Sequence, residues 1–517
     1  MDTYPTPARI RSGRLAAWLA AGLSGLLAAL TAVGVGHLVA ALLAPSASPL
    51  LAVGSTVIDM TPEWLKSFAI ETFGSNDKVA LLGGMTITIA ALSVVIGLLS
   101  LHHPRPAVAA IALFGLIGAG AALARPTSTW LSVVPSLIGA AAGVGALWLL
   151  HERLVGSATR TDTPSRRRFL VGAAGVGLLA FGSGGIGLLL SARRSAAASA
   201  GSIAIPTPME LASPIPAGAD LGIDGVASFI TPNDGFYRVD TALEIPAIVA
   251  ADWRLRIHGM VDREIELTLA DLLELPTIER DITLTCVSNQ VGGTYVGNAR
   301  WIGVPLKTVL DEAGIRAGAD QIVSRSIDGM TIGTPTAVAL DGRDAMLAVA
   351  MNGVALPPVH GFPVRMLVPG LYGYVSATKW LVDIEMTTFD AYDPYWVQRG
   401  WAKEAPIKTM SRIDAPKPLA RLAAGRVMVG GVAWAQHRGI DRVEVRVDGG
   451  TCQEARLAEV DSIDTWRQWS FEWMATSGNH TLEVRASDDD GMIQTESRAE
   501  PFPDGATGWH SVVVTVI

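Results

Sequence analysis

The residue in this chain with the clearest capacity for chemistry is Cys286, which closes a short alternating segment. Ile282 and Leu284 alternate with Thr283 and Thr285 at the two-residue period of a half-buried strand, and a polar, glycine-rich loop follows the cysteine. A thiolate at the end of a strand is a soft ligand for metals that bind sulfur. A buried free thiol, by contrast, is a small and inert hydrophobic group. Taken alone, the segment leaves both interpretations open, and the inert one is the commoner.

Three ordered motifs around and after this cysteine favour the metal-binding interpretation. They are TLTCVSN, GNARWIGVPL and HGFPVRMLVPGLYGYVSATKWL, which begin at residues 283, 297 and 360. In this order they resemble the molybdopterin-dependent sulfite oxidase family, over the stretch from about Asn233 to the C-terminus. The resemblance implies that Cys286 is the only protein ligand of a molybdenum ion carried by molybdopterin, in a bacterial membrane-anchored oxidoreductase.

The resemblance also implies which residues hold the cofactor. His360 and Arg365 would hold the pterin phosphate, because a guanidinium fork binds a phosphate dianion bidentately, and Lys379 adds a further charge. The other implied candidates are Asn233, Phe236, Tyr237 and Arg238 along the pterin, Asp328 at the pterin ring, and Ser376 and Thr378 beside the lysine. Three points stay open. Residues 233–238 could be a plain turn, and Asp328 could be a surface turn residue. Either Ser376 or Thr378 could be the hydroxyl that donates to the phosphate.

Two departures from the family pattern concern the substrate. Sulfite-oxidising members have two arginines directly after the asparagine of the cysteine loop, where this chain reads NQV at residues 289–291, and Trp401 stands where they keep a tyrosine. Without that pair, a doubly charged oxyanion loses several charge-assisted hydrogen bonds, each worth about 1.5–3 kcal/mol. Arg300 and Arg399 are the candidates to replace them, although Arg300 could equally be structural. A neutral S-oxide or N-oxide is therefore as plausible a substrate as sulfite.

Composition bounds the classes of protein to which the chain can belong. At 517 residues it is too long for one domain, and a mean hydropathy of +0.36 with 17% charged residues is too apolar for a wholly soluble protein. The formal net charge of −8 argues against nucleic acid binding, which requires an excess of Lys and Arg. Two cysteines, Cys286 and Cys452, are too few for a disulfide framework.

The first two hundred residues contain five apolar runs that predict membrane-spanning helices. The runs cover about residues 15–43, 79–101, 107–124, 130–150 and 169–190, each near the length needed to cross a bilayer. Nine Lys and Arg residues lie on the side of the N-terminus, against five on the opposite side. The positive-inside rule then places the N-terminus in the cytoplasm, and everything after the fifth helix outside the cell membrane.

Two features of this region bear on export and on electron transfer. The sequence SRRRFL at 165–170 resembles a twin-arginine signal, which exports folded proteins, although it could be an ordinary basic flank. Residues 195–202 could be a cleavage site, but a flexible tether is favoured because four helices would be wasted on a released domain. Haem is not expected, because the histidines do not form pairs at matching depth. The helices are expected to anchor the enzyme or to dock a separate electron carrier, in the membrane or the periplasm.

Beyond the helices the pattern predicts two further domains. Residues 217–405 alternate strands and short helices without long crossover helices, which favours an α+β molybdopterin-binding domain. Residues 412–517 read as short strands with a hairpin around residues 448–450, which predicts an all-β, immunoglobulin-like sandwich. The resemblance implies that this last domain mediates dimerisation.

The sequence thus predicts an exported, membrane-anchored molybdenum oxidoreductase that transfers an oxygen atom and two electrons to or from a small sulfur or nitrogen oxo compound. A non-enzymatic alternative to this prediction also stays open. The chain could be a non-enzymatic membrane-anchored binding module that uses the C-terminal sandwich.

Overall fold

The computed structural model describes residues 7–62, 65, 77–125, 128–158, 164–200 and 203–517. The chain divides into two compact units, the first comprising Met1–Ala198 with Ala242–Ile245, and the second comprising Ser199–Thr241 with Pro246–Ile517. Lys66 and Arg160, which entered the count of basic residues, and residues 201–202 of the expected tether lie outside the described residues.

The first unit is helical. Its helices are α1 (Pro7–Leu43), α2 (Pro49–Met60), α3 (Asp77–Ser100), α4 (Pro104–Leu123), α5 (Val134–Ala158) and α6 (Pro164–Ala200). Among the residues that the structure describes, five stretches are long and apolar enough to cross a membrane, with mean hydropathy between 1.8 and 2.3: Leu15–Leu43, Lys78–Ser100, Pro104–Leu123, Trp130–Leu154 and Arg167–Arg193. The prediction of five apolar helices is confirmed, and their orientation stays a prediction. The sequence did not predict α2, which has only 12 residues.

Glycines allow these helices to approach one another closely. A Cβ atom on Gly25 of α1 would lie 1.9 Å from the carbonyl oxygen of Ser93 in α3, and one on Gly139 of α5 would lie 2.4 Å from that of Ala32 in α1. Close backbone approach through small residues is typical of helix packing where apolar burial cannot drive association. The abundance of glycine and alanine in these runs therefore has a packing cause.

The first part of the second unit contains two sheets and short helices. One sheet has the strand order β2-β1-β10-β5-β6 and the other β3-β4-β7-β8, with β9 paired to β7. The strands are β1 (Arg254–Gly259), β2 (Ile265–Thr268), β3 (Ile278–Thr285), β4 (Val296–Pro305), β5 (Gln321–Ser326), β6 (Thr331–Pro335), β7 (Met346–Met351), β8 (Val354–Ala355), β9 (Arg365–Leu367) and β10 (Leu381–Thr387). The helices are α7 (Leu269–Glu274), α8 (Leu306–Ala313), α9 (Thr336–Ala339) and α10 (Gly373–Ser376). Among these strands only β1 and β10 pair in parallel, and the helices between the strands are short, so this part has the α+β character expected from the sequence.

The second part of this unit is a two-sheet sandwich. The sheets have the orders β11-β13-β17-β16 and β12-β19-β18-β14-β15, and one core that contains Val429, Trp469, Val443 and Leu482 joins them. The strands are β11 (Met410–Ala415), β12 (Arg421–Leu422), β13 (Gly425–Trp434), β14 (Ile440–Val447), β15 (Gln453–Glu454), β16 (Arg456–Leu457), β17 (Arg467–Ala475), β18 (Gly478–Asp488) and β19 (His510–Val516). β14 and β15 form the expected hairpin. The immunoglobulin-like assignment stays a prediction.

Candidate functional site

Cys286 stands directly after β3, where the β3–β4 hairpin opens into its loop. The last ladder pair is Thr285 with Val296, and the Cys286 N–H donates to the Tyr295 carbonyl over 3.0 Å. The Asn289 side chain fixes the loop, since its Oδ1 accepts from the Tyr295 N–H at 2.8 Å. The expected position of the cysteine, at a strand end before a turning loop, is confirmed. The sulfur is thus carried by a rigid element and presented at its end.

The thiol of Cys286 has polar and charged neighbours, although it exposes only 8% of its surface. Its Sγ lies 3.5 Å from the Ser288 Oγ. Burial raises the pKa of this thiol, while the bond from Ser288 and the positive charge of Lys379 act in the opposite direction. A thiol within electrostatic reach of an ammonium group differs from one enclosed by aliphatic side chains, which was the inert interpretation.

Phe236 and Tyr237 lie beside this loop. The Phe236 ring packs on Gly297 of β4, where an added Cβ atom would lie 2.9 Å from the ring, and it stands 5.9 Å from the Trp301 ring and 5.6 Å from that of His360. Tyr237 stacks on Phe236 at 5.2 Å. Burial raises the pKa of the Tyr237 phenol, and charge on Cys286 raises it further. The aromatic pair therefore borders both the cysteine and the histidine.

Asn233 connects this segment to His360 and Arg365. His360 Nε2 lies 2.7 Å from the Asn233 carbonyl oxygen, and Arg365 Nη1 donates to the His360 carbonyl at 3.1 Å. The Asn233 side chain is fixed in turn by Asn352, whose Nδ2 donates to its Oδ1 at 2.8 Å. The sequence predicted these three residues as cofactor-binding, and the structure brings them together.

Four basic side chains converge at this place with one carboxylate among them. Lys379 Nζ and Arg238 Nε lie 2.6 Å and 2.8 Å from the same Oδ2 of Asp240. Arg365, 6% exposed, has no carboxylate at ion-pair distance within residues 203–517, and its Nε has no hydrogen-bond partner there. Burial lowers the pKa of His360 to about 4, that of Lys379 to about 8 and that of Arg365 to about 10. We name His360, Arg365, Lys379 and Arg238 the basic cluster.

The basic cluster suits an anion with several oxygens. Its charges exceed those of the single carboxylate, and neighbouring cations lower the pKa values of His360 and Lys379 further. Gly361, at φ +115°, allows close approach of the chain, because an added Cβ atom would lie 3.1 Å from the Cα of Lys379 and from the Cβ of Arg365. The donors present, with the nearby thiol, fit a phosphate-bearing cofactor whose metal takes a sulfur ligand.

The hydroxyls of Ser376 and Thr378 are bonded to protein groups. Ser376 Oγ donates to the carbonyls of Leu371 and Tyr372, both at 3.0 Å. Thr378 Oγ1 lies 2.5 Å from Ser324 Oγ, which donates to the Ile332 carbonyl at 3.4 Å, so Thr378 is the donor to Ser324. Neither hydroxyl proton is directed at the basic cluster. The sequence left open which of the two donates to phosphate, and the structure favours neither.

Arg300 is engaged elsewhere. Asp281 is its cross-strand neighbour, and the guanidinium binds that carboxylate through Nε at 2.9 Å and Nη2 at 2.5 Å. The pair stands four ladder positions before Thr285 and Val296, about 13 Å along the strands. This contact favours the structural alternative for Arg300, and its role toward a substrate stays a prediction.

Two other candidates also have local partners. Arg399 lies 3.5 Å above the Tyr395 ring and donates to the Tyr395 carbonyl at 2.8 Å. The Asp328 carboxylate accepts from the Met330 N–H at 3.2 Å in the β5–β6 turn, which fits the surface-turn alternative. These contacts do not place either residue beside the thiol.

Sequence reasoning missed Tyr372, an aromatic residue that interacts electrostatically with Cys286. Tyr372, 3% exposed, is within electrostatic reach of both Cys286 and Asp504, and burial raises the pKa of its phenol. Trp401 is 8% exposed and packs 5.7 Å from the ring of Tyr374 and 5.3 Å from that of Phe502. Two signals were present in the sequence: Tyr372 lies inside the third motif, and Trp401 departs from the family pattern. Residues 502–504 gave no signal, because they come from the distant end of the chain.

Comparisons with known proteins agree with this geometry. Residues 242–396 match the family model of the oxidoreductase molybdopterin binding domain. The chain is 29% identical to rat mitochondrial sulfite oxidase over 56% of its own length and 62% of the relative's, and 29% identical to chicken sulfite oxidase over 54% and 72%. It thus spans less than two thirds of the rat enzyme.

A solved structure extends the likeness of the fold. The sulfane dehydrogenase SoxCD from Paracoccus pantotrophus superposes with a TM-score of 0.50 and 22% identity, over 57% of this chain and 82% of that one. That likeness concerns the fold alone. The family match and the two sulfite oxidases support molybdopterin with its molybdenum as the cofactor. Residues 242–396 therefore form a molybdopterin-binding oxidoreductase domain, and this part of the chain is similar to sulfite oxidases.

Proposed function

We propose that this protein is a membrane-anchored enzyme that transfers an oxygen atom and two electrons to or from a small sulfur or nitrogen oxo compound. The observation that carries the proposal is the meeting of the Cys286 thiol with a basic cluster that has more cations than carboxylates. A cluster of that kind needs an anion from outside the chain, and the thiol provides a ligand for the metal that comes with it.

Each residue of the site has a distinct role in this proposal. Cys286 would bind the metal, Arg365 and Lys379 would hold the phosphate, and Phe236 and Tyr237 would border the pterin. The bound molybdenum supplies the two-electron oxygen-atom chemistry. The protein contributes fixed positions and fixed charges, which need no rearrangement when the reaction takes place.

His360 has a conditional role because of its hydrogen bond. Its Nε2 lies 2.7 Å from the Asn233 carbonyl, so this nitrogen carries a proton, and Nδ1 can donate to an anion only when the ring is charged. The lowered pKa of about 4 keeps the ring neutral while no anion is bound. A phosphate beside the ring would raise that pKa, since an opposite charge favours the charged form.

The arginine contacts favour a neutral oxide over sulfite. Arg300 binds Asp281, and Gln290 and Val291 stand where the sequence resemblance implies two arginines in sulfite-oxidising enzymes. Reduction of an S-oxide consumes two electrons and two protons and yields a thioether and water. The chain therefore needs a separate electron donor, which we expect to be a membrane or periplasmic carrier.

The location follows from the helical unit. Five apolar helices and the distribution of basic residues support a multi-pass protein of the cell membrane with the catalytic domain on the extracytoplasmic side. The SRRRFL sequence supports export of the folded, cofactor-loaded domain through the twin-arginine route. We further propose that the C-terminal sandwich mediates homodimer formation, as the sequence resemblance implies.

Metal analysis and a substrate panel test the proposal. The purified, correctly exported protein should contain about one molybdenum per chain, and it should turn over methionine sulfoxide or an amine N-oxide faster than sulfite. An active preparation with molybdenum at background would overturn the assignment of the site. Sulfite as the fastest substrate would overturn the argument from Arg300 and leave the cofactor assignment intact.

A further inference from the structure

The strand that carries Cys286 lies at the edge of its sheet. β3 pairs with β4 on one side, and its other side meets no strand; residues 209–210 bond only its beginning, at residues 277–279. Loops of the sandwich bind that side: the Thr283 N–H donates to the Asp464 carbonyl at 2.9 Å, and the Trp466 N–H donates to Thr283 Oγ1 at 2.7 Å. The sandwich therefore completes the edge of the catalytic sheet three residues before the cysteine.

Gln436, in the loop after β13, adds two further bonds to the same strand. Its Nε2 donates to the Thr283 carbonyl at 3.0 Å and to Thr285 Oγ1 at 2.9 Å, and the residue is 0% exposed. Its Oε1 accepts no hydrogen bond from any residue that the structure describes. The side chain is thus held by its two donors alone, and both point at the segment that ends in Cys286.

We propose that Gln436 is a positioning residue for the molybdenum ligand Cys286, and that the sandwich thereby has a role in the site itself. This inference rests on the proposed function, because it takes Cys286 as the metal ligand. Thr285 directly precedes the cysteine, so the bonds that restrain Thr283 and Thr285 also restrain the chain next to Cys286. Gln436 fixes both the backbone and the side chain of β3 at that end.

The physical reason is the precision that a metal site requires. Ligands must be held within about 0.5 Å of the productive geometry, and residues that orient a ligand commonly change affinity or activity about 10–100-fold when replaced. An edge strand with one partner has fewer restraints than a central strand. Buried bonds from a separate sheet supply the missing restraints, because no solvent competes for them at 0% exposure.

The test compares Gln436→Leu with Gln494→Leu in the holoenzyme. Gln494 is a matched control, since it is also a buried glutamine of the sandwich, but its partners are Ser411, Ala486 and Gly508 rather than β3. The readouts are molybdenum content, kcat and the thiolate-to-metal charge-transfer absorption. We expect Gln436→Leu to lower kcat about tenfold and to shift the absorption band, and Gln494→Leu to leave the band unchanged whatever stability it loses.

A second variant tests the same inference if Gln436→Leu does not fold. Thr285→Val removes only the acceptor of one Gln436 bond and should shift the same band in the same direction. Wild-type absorption and kcat in Gln436→Leu, or in Thr285→Val when the first variant is unfolded, would overturn the inference. Absence of molybdenum from the wild-type protein would instead overturn the proposed function, so the two failures are distinguishable.

Discussion

Two buried arginines in different parts of the second unit have opposite surroundings. Arg365 of the basic cluster and Arg412 of the sandwich strand β11 each expose 6% of their surface. Arg412 binds the Asp414 carboxylate through Nε at 2.6 Å and donates to the Gly293 carbonyl at 2.8 Å. Arg365 has a carbonyl partner at His360 and the face of Trp301 at 5.3 Å, but no carboxylate at ion-pair distance in the region 203–517.

Arg412 is a buried charge that stabilises the fold, whereas Arg365 is a buried charge whose partner we propose to be a bound anion. A buried cation with its own carboxylate is neutralised within the chain, whereas a buried cation without one destabilises the protein until an anion arrives. The lowered pKa of about 10 at Arg365 expresses that cost. Replacing each arginine should therefore affect different properties of the protein.

Arg412→Met should have the largest effect on stability. It leaves Asp414 buried without a cation, at 7% exposure, and loss of one partner of a buried pair costs about 3–5 kcal/mol. Urea unfolding of the cofactor-free protein measures this change. If the free energy of unfolding fell by less than about 1 kcal/mol, the Arg412–Asp414 pair would not stabilise the fold. The contrast between Arg412 and Arg365 would then not hold.

Arg365→Met should weaken cofactor retention and should not lower the stability of the cofactor-free protein. Loss of charge-assisted bonds to a phosphate, worth about 1.5–3 kcal/mol, corresponds to about 10–100-fold weaker cofactor retention. The stability of the cofactor-free protein should stay the same or increase, because an unneutralised buried charge has been removed. Molybdenum content and urea unfolding measure the two quantities, and unchanged molybdenum with lower stability would show that Arg365 is structural.

Lys379 should make anion binding dependent on pH. Its pKa, lowered to about 8 by burial, means that the ammonium is present below pH 8 and is lost as the pH rises through that value. We expect inorganic phosphate to bind the cofactor-free protein several-fold more weakly at pH 9 than at pH 7.5, a range in which phosphate is mostly a dianion. Lys379→Met should bind weakly with little change over this range, and an equal pH dependence in both proteins would contradict the assignment.

Arg300→Lys should have the smallest effect. The lysine keeps a positive charge beside Asp281 and loses the bidentate fork, so we expect about 1 kcal/mol of lost stability. The KM values for sulfite and for an S-oxide should stay within about twofold of those of the wild-type protein. A tenfold rise in KM for sulfite alone would restore the catalytic role that the sequence suggested.

The sequence was most informative where local pattern determines structure. Alternation placed Cys286 at a strand end, and runs of apolar residues gave the five helices. The ordered motifs around Cys286 and His360 identified the cofactor, because both segments contribute directly to the site. These features depend on neighbours within about ten residues.

Pairings between distant segments could not be predicted. Arg300 meets Asp281 only through the register of β3 and β4, and nothing in the spacing of these residues shows whether the guanidinium faces substrate or strand. The bond from Gln436 to Thr285 crosses 151 positions. His360 looked like a phosphate donor, but its Nε2 is bonded to the Asn233 carbonyl, 127 positions away.

The central claim is that Cys286 binds the molybdenum while the basic cluster holds the phosphate of its cofactor. X-ray absorption at the molybdenum edge tests these two roles most directly, when it is measured on the wild-type protein and on Cys286→Ser. The account predicts one fewer sulfur ligand in the variant, with turnover abolished and the molybdenum content retained to within about twofold. An unchanged number of sulfur ligands in Cys286→Ser would contradict it.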